Sequence, residues 1–209
     1  MSGTLTAIPA PAPRFRINNH DRVSLILTLA ATAVALIAGL ALRGAVESRT
    51  KAYKTPEGVT IHYPDSWRLN TAGAASGIVS ARDGAAQNFA TTLELRVVSV
   101  DSAAKDGEAL SFAVNQAALN RGQKQSNFKV FSLTSGQTIK GLPGATSSFV
   151  FVSDTSSTMQ EGLPVVVLGD DTLVRKGGAV YIFSALSTEE NHAQAISQLQ
   201  AFVDSAQLP

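Results

Sequence analysis

A run of twenty uncharged residues, 23–42, constrains this chain more than any other feature. Arg22 and Arg43 bound the run on its two sides. At about 1.5 Å per helical residue, a helix of this length spans roughly 30 Å, the thickness of a bilayer hydrocarbon core. The run also exceeds the ~7–15-residue apolar core of a cleaved signal peptide. The sequence therefore predicts a single transmembrane helix that is retained as an anchor.

Composition limits the chemistry of the remaining chain. The 209 residues are 44% hydrophobic, enough for one globular domain plus a tail. Cysteine is absent, which excludes disulfides, thiolate catalysis, cysteine-ligated metal sites and c-type haem attachment. Residues 53–209 carry eleven Lys/Arg against fourteen Asp/Glu, a net charge of −3, so nucleic acid is not expected as a partner.

The charges that flank the apolar run do not decide its orientation. Three arginines precede the run within its leader, and four Lys/Arg follow it up to Lys54, so the positive-inside count is almost tied. Large domains translocate largely regardless of their charge. We therefore expect the N-terminus in the cytoplasm and the C-terminal domain on the periplasmic or extracytoplasmic side of the cell membrane, while the opposite orientation stays open.

Small residues recur on one side of the predicted membrane helix. This stripe contains Thr28, Ala31, Ala35, Ala38 and Gly39. Small side chains allow two membrane helices to approach closely, so the stripe predicts packing against another membrane-embedded subunit. The alternative is that alanine is simply common in membrane helices.

The chain divides into four segments by composition. A Pro/Ala-rich, Arg-bearing tail (1–22) precedes the transmembrane helix (23–42), a tether (43–55) follows it, and a domain occupies 56–209. Alternating apolar residues in the domain predict strands, and helical spacing predicts a helix over 108–121. A second helix is predicted to start at Ser187 or Thr188, where Ser187 and Glu190 have the spacing of a capping box. The predicted strands cover 59–63, 77–81, 92–100, 128–134, 138–142, 145–152, 165–168, 172–175 and 180–186.

This order of elements predicts an α+β domain, an antiparallel β-sheet flanked by helices. Two stretches carry a family resemblance: GVTIHYPDSWRL from Gly58, and AVYIFSALSTEENHAQAISQLQAFVDSAQL from Ala179. They are similar to the opening and the close of PsbP-like domains, and the resemblance covers about residues 55–208. It implies a PsbP-like fold and a family whose best-known members are extrinsic, non-catalytic subunits of photosystem II. Those subunits are soluble, whereas this sequence predicts its own membrane helix.

The opening stretch also contains the residue types of a hydrolytic triad, His62, Asp65 and Ser66. A working nucleophile, base and orienting acid usually converge from separate elements, and no G-x-S-x-G elbow is present. We therefore interpret the stretch as a strand followed by a turn, with Tyr63 and Trp67 as anchors of the core. A hydrolase using these three residues is the less favoured alternative.

Other groups with possible chemistry are isolated. Asp170 and Asp171 follow Gly169 and are interpreted as a hairpin connection, since adjacent residues of an extended chain face opposite sides. His192 borders the apolar face of the last predicted helix, and the three histidines cannot be assembled into one site. We expect no catalytic residues, no cofactor and no metal.

These observations predict a non-catalytic accessory subunit of a larger membrane complex. An electron-transfer assembly, photosynthetic or respiratory, is the favoured host because the resemblance implies it. The expected partners are the lipid bilayer, other membrane-embedded subunits and, as a further candidate, a soluble electron carrier. The alternative is a free-standing, membrane-anchored envelope module that binds a small ligand or a protein.

Overall fold

A computed structural model describes residues 19–47, 49–85, 89–153 and 163–209. Most of the N-terminal tail predicted at 1–22 lies outside the described residues, as does most of the polar connection between 153 and 163. The chain forms two units, Met1–Ser48 and Arg49–Pro209.

The described part of the first unit is one helix. Helix α1 spans Asn19–Glu47 and contains the whole uncharged run. Its described side chains, at 23–39, are exposed, and Thr28 Oγ1 donates to the Ser24 carbonyl at 2.9 Å. Within the described part of the chain, no helix combines the length and the apolar character that crossing a membrane requires. A helix over 23–42 is observed. Its membrane-spanning role, and the packing of its small-residue stripe against another subunit, stay predictions.

The second unit contains two antiparallel sheets and two helices. Strands β1 (Thr50–Lys54) and β2 (Thr60–Pro64) pair with each other. The other seven strands form one antiparallel sheet in the order β3-β4-β5-β9-β8-β7-β6. Helix α2 spans Asp106–Lys124 and helix α3 spans His192–Ser205. The strands of the large sheet are β3 (Arg68–Asn70), β4 (Ile78–Arg82), β5 (Thr92–Ser99), β6 (Ser126–Ile139), β7 (Leu142–Ser153), β8 (Val165–Lys176) and β9 (Ala179–Ser187).

Other elements pack on both faces of the large sheet, which makes the domain a layered α+β fold. On one face α3 and strand β2 enclose the main core, where Phe183 and Phe202 meet edge to face with their ring centroids 5.5 Å apart. On the other face α2 lays Ala113 and Ala117 against the centre of the sheet. The expected antiparallel sheet flanked by helices is confirmed.

Several sequence predictions were wrong in detail. Strand β1 falls inside the stretch interpreted as a tether, because its backbone pairs with β2 in register from Thr50 opposite Pro64 to Lys54 opposite Thr60. The strands predicted at 128–134 and 138–142 are one strand up to Ile139: Gly136, at φ 76°, forms a bulge instead of a turn. The chain then reverses at Lys140 and Gly141, whose φ angles are 54° and 75°.

The predicted capping box at the last helix was also wrong. Ser187 is the final residue of β9 and pairs with Leu168, so its backbone belongs to the sheet and cannot cap a helix. A 3₁₀ turn at Glu189–Asn191 intervenes before α3 begins at His192.

Candidate functional site

The three residues of the apparent triad do not meet as a catalytic group. His62 lies half-buried on β2, while Asp65 and Ser66 lie exposed in the turn that follows. The Asp65 carboxylate accepts a hydrogen bond from Lys51 Nζ at 2.6 Å, across the β1–β2 pair. Among the described residues, no hydrogen bond joins His62, Asp65 and Ser66 to one another. The geometry fits a strand and a turn.

Tyr63 and Trp67, interpreted from the sequence as core anchors, are both 8% exposed and belong to the core cluster beneath α3. Tyr63 lies at the end of β2, and the Trp67 amide closes the following turn by donating to the Pro64 carbonyl at 3.0 Å. The stretch therefore attaches the small sheet to the large one.

Asp170 and Asp171 lie in the middle of β8, so the predicted hairpin connection between two short strands was wrong. The strand is continuous because it is paired along its length with β7 on one side and β9 on the other. The two carboxylates face opposite sides of the sheet, as adjacent strand residues must. Asp171 is buried and accepts two hydrogen bonds from Arg121.

On the opposite face, the carboxylate of Asp170 lies between two other polar groups. Ser148 Oγ donates to Asp170 Oδ1 at 2.6 Å, and His192 Nε2 lies 3.6 Å from Asp170 Oδ2. In a hydrolytic triad the imidazole stands between the hydroxyl and the carboxylate. Here the carboxylate occupies the central position, so the hydroxyl is not aligned with a general base. Within the described residues, no group of three His, Asp or Glu side chains could hold a metal ion.

A groove lies between α2 and the β4–β5 part of the large sheet. Three adjoining cavities of about 470, 290 and 200 Å³ form it. The first and second share Ser99 and Phe112, and the second and third share Ile78, Arg96 and Asn120. We refer to this continuous feature as the α2 groove.

One wall of the α2 groove is a single stripe of the helix. Phe112, Gln116 and Asn120 recur every four residues and therefore lie on one side of α2. The largest cavity is lined mainly by apolar atoms around Val100 and Phe112. Phe112 is 54% exposed and lines two of the three cavities.

The two ends of the α2 groove differ in charge. Asp101 and Glu108 border the apolar cavity near the start of α2. At the other end, Arg96 and Lys124 line the smallest cavity, with Glu94 accepting from Arg96 Nη2 at 3.0 Å. The groove therefore combines an apolar pocket with an acidic rim and a second end rich in cations.

Sequence reasoning did not identify the α2 groove. The available signal was Phe112, which falls outside the apolar face that defines the helix and so had no core to enter. The opposing wall comes from β4 and β5, and the sequence contains no local sign that these strands lie beside α2.

Comparisons with known proteins identify the fold. No family model matches the sequence, and no curated protein matches it. The chain is similar in structure to the cyanobacterial PsbP (CyanoP) of Synechocystis sp. PCC 6803, with a TM-score of 0.54 and 13% identity over 77% of this chain and 92% of that one.

Weaker likenesses are found to two other proteins. The Ran-binding protein Mog1p of Saccharomyces cerevisiae has a TM-score of 0.47 at 14% identity, covering 77% of this chain and 95% of that one. LpqN of Mycobacterium tuberculosis, which is involved in cell envelope biogenesis, has a TM-score of 0.43 at 15% identity, covering 77% and 91%. At 13% identity the likeness to CyanoP identifies the fold and not the activity. The expected PsbP-like fold of the domain is confirmed by that likeness.

Proposed function

We propose that this protein is a non-catalytic accessory subunit of a larger membrane complex, and that its PsbP-like domain docks a protein partner in the α2 groove. The observation that carries the proposal is Phe112, a half-exposed aromatic side chain beside an apolar cavity of about 470 Å³. Exposed aromatic groups that fill or line a pocket are typical anchors of protein interfaces. The fold supports the proposal because it is shared with a cyanobacterial PsbP.

The anchor is the second part of the proposal. The uncharged run 23–42 would hold the protein in the cell membrane, with the N-terminus cytoplasmic and the domain extracytoplasmic. A tethered domain meets its partner at a high effective concentration, so a shallow groove would suffice for stable association. An electron-transfer complex is the favoured host, with a soluble electron carrier as a further candidate partner.

Photo-crosslinking tests the docking part. A photoreactive phenylalanine analogue is placed at Phe112 in the full chain, and the matched control carries it at Phe131, which is 65% exposed on β6. Native membranes are irradiated, extracted with mild detergent and separated on native gels. We expect position 112, and not 131, to crosslink to a subunit that also co-migrates with the unmodified protein. A protein that migrates alone, without a specific adduct, would contradict the proposal.

Fractionation tests the anchor. We expect the full chain to remain with membranes after alkaline carbonate washing, and a chain lacking residues 23–42 to be released. Recovery of the full chain in the soluble fraction would contradict the anchor and leave the docking test unaffected.

A small-ligand module is the second candidate function, because about 470 Å³ falls within the usual range of ligand cavities. Native mass spectrometry distinguishes it from the first. A small molecule that co-purifies with the protein and is lost on Ala104→Trp, which fills the cavity, would favour this candidate.

A further inference from the structure

We infer that the partner presents an acidic protein segment with an apolar anchor residue to the α2 groove. This inference rests on the proposed function, because it names the chemistry of the partner at the same site. Its basis is the distribution of charge on the part of the sheet that α2 leaves uncovered.

Helix α2 covers only part of its face of the large sheet. It packs on β6, β7, β8 and β9, and Val98 of β5 joins the cluster beneath it. Beyond β5, the side chains of β3 and β4 on this face are exposed or half-buried. The α2 groove therefore opens onto a strip of uncovered sheet.

Arginines are concentrated on this strip. Arg68 of β3 and Arg82 of β4 lie directly opposite each other in the antiparallel register, and both are exposed. Like charges that face each other across a strand pair are destabilising. Neither arginine has a carboxylate partner among the residues that the structure describes, so their repulsion is not relieved within this part of the domain.

Arg96 continues the basic strip into the groove. It lies opposite Ile78 and its side chain is 13% exposed. The Arg96 Nη2 donates to Glu94 Oε1. The buried Nε of Arg96 has no hydrogen-bond partner among the described residues. Lys124 adds a further cation where α2 ends. The strip is locally basic although residues 53–209 have a net charge of −3.

The basic strip adjoins the end of the α2 groove that lies away from the apolar cavity, and Arg96 belongs to both the strip and the groove. Along β5, Thr92 is opposite Arg82, and Val100 lines the apolar cavity beyond the end of the strand. Eight residues of extended chain separate them, about 26 Å at roughly 3.3 Å per residue. An extended segment of about eight to ten residues would therefore place acidic side chains at the arginines and one apolar side chain beside Phe112.

Charge favours a protein segment over an anionic membrane surface as the occupant. Asp101 and Glu108 stand at the apolar end of the groove. A uniformly anionic surface that reached both ends would meet these two carboxylates as well as the arginines. A peptide segment can carry its acidic residues at one end only, which matches the polarity of the groove.

A defined peptide probe tests the inference on the full chain in mild detergent. The probe is a fluorescein-labelled peptide of about ten residues, with four consecutive Glu at one end, a Gly/Ser spacer and one Phe at the other end. Fluorescence anisotropy should show saturable binding that weakens with added salt. The double change Arg68→Ser/Arg82→Ser should weaken binding about three- to tenfold.

Three controls separate specific docking from other effects. Lys129→Ser, on the far edge strand β6, should leave the affinity unchanged, and replacing Phe by Ala in the peptide should weaken binding to the unaltered protein. All variants must be folded, with an unfolding midpoint no lower than that of the unaltered protein, before they are compared. A Lys-rich peptide of the same length should not bind.

The inference is overturned if the acidic peptide does not saturate, if the arginine double variant binds it equally well, or if the Lys-rich peptide binds with similar affinity. Preferential binding of phosphatidylserine-containing vesicles that depends on the same arginines would overturn it in favour of a membrane surface. Crosslinking at Phe112 that persists in the double variant, together with failed peptide binding, would leave the proposed function standing. The absence of any crosslinked subunit would contradict the proposed function and with it the inferred partner, even if the groove bound the acidic peptide.

Discussion

Arg121 and Asp171 form a bidentate ion pair between α2 and β8. Arg121 Nη1 donates to Asp171 Oδ2 at 2.5 Å, and Nη2 donates to Oδ1 at 2.9 Å. Their side chains are 9% and 6% exposed. Nη2 also donates to Ser184 Oγ at 2.8 Å, and the guanidinium lies 4.2 Å from the centroid of the Phe149 ring. The pair holds the C-terminal part of α2 against β8, and Arg121 also lines the cavity at the basic end of the α2 groove.

Removing one partner of this pair should destabilise the domain strongly. Asp171→Asn leaves the Arg121 charge buried without its counter-charge, and we expect a loss of about 3–5 kcal/mol in the free energy of unfolding. Urea denaturation followed by the fluorescence of the single tryptophan, Trp67, measures it. The double change Arg121→Leu/Asp171→Leu should recover most of the loss, since no unpaired charge remains. The account would be contradicted if the double variant lost as much stability as Arg121→Leu and Asp171→Leu lose when their separate effects are added.

Gly169 should not tolerate a side chain. It pairs with Phe149 across β7 and β8, and a Cβ at this position would overlap the Phe149 ring. Gly169→Ala is expected to cost about 1–3 kcal/mol of stability through displacement of that ring. The matched control is Gly107→Ala in the first turn of α2, where a Cβ would meet nothing within 4 Å, and this change should be neutral or stabilising. Equal destabilisation by both changes would show that the ring is not the cause.

Lys140 should stabilise the end of α3. Its Nζ donates to the carbonyls of Val203, Asp204 and Ala206 at 3.0, 2.8 and 2.6 Å. A cation at a helix C-terminus satisfies carbonyls that lack helical partners and interacts favourably with the helix dipole. Lys140→Met is expected to lower the free energy of unfolding by about 1 kcal/mol.

The control for this change is Lys105→Met, at the start of α2, where the side chain makes no capping hydrogen bond. A cation there opposes the helix dipole, so its removal should not destabilise the domain. Thermal unfolding of the two variants side by side would refute the role of Lys140 if both lost the same stability.

Tyr181 should make stability fall at alkaline pH. Burial raises the pKa of its phenol above the ordinary value of 10.0, and the charge of Glu57 raises it further. The unfolded chain therefore loses this proton first, so the contribution of the phenol to stability is complete below pH 10.0 and is lost as the pH rises through the raised pKa. We expect Tyr181→Phe to gain stability relative to the unaltered protein above pH 10.0. Denaturation curves that differ by a constant amount across this pH range would exclude the effect.

Local sequence patterns predicted an element correctly where its buried residues recur at the period of that element. Helix α2 was predicted at 108–121 and spans Asp106–Lys124, and the strand predicted at 77–81 appears as β4, Ile78–Arg82. Each buries residues at its own period, which a one-dimensional pattern records directly. The order of these elements also carried the resemblance to PsbP-like domains.

Patterns failed where a distant residue reverses a local preference. Gly169, Asp170 and Asp171 together are typical of a turn. In the folded domain Arg121 neutralises Asp171, the Phe149 ring occupies the space beside Gly169, and Ser148 hydrogen-bonds Asp170. These three partners belong to α2 and β7. Because of their contacts, the stretch that was predicted as a hairpin connection is the middle of strand β8.

The sequence by itself determined the class of the domain, its α+β order of elements and the uncharged helix upstream, because these follow from composition and from periods of two and 3.6 residues. Only the tertiary structure decided that α2 leaves β3 and β4 uncovered, that Phe112 and Arg96 line one groove, and that Arg82 lies on the sheet beside it. Those residues are brought together by strand register and by the buried Arg121–Asp171 pair, whose partners are fifty positions apart in the chain. Such contacts leave no periodic pattern in a sequence. The fold class could therefore be predicted from the sequence, whereas the α2 groove could not.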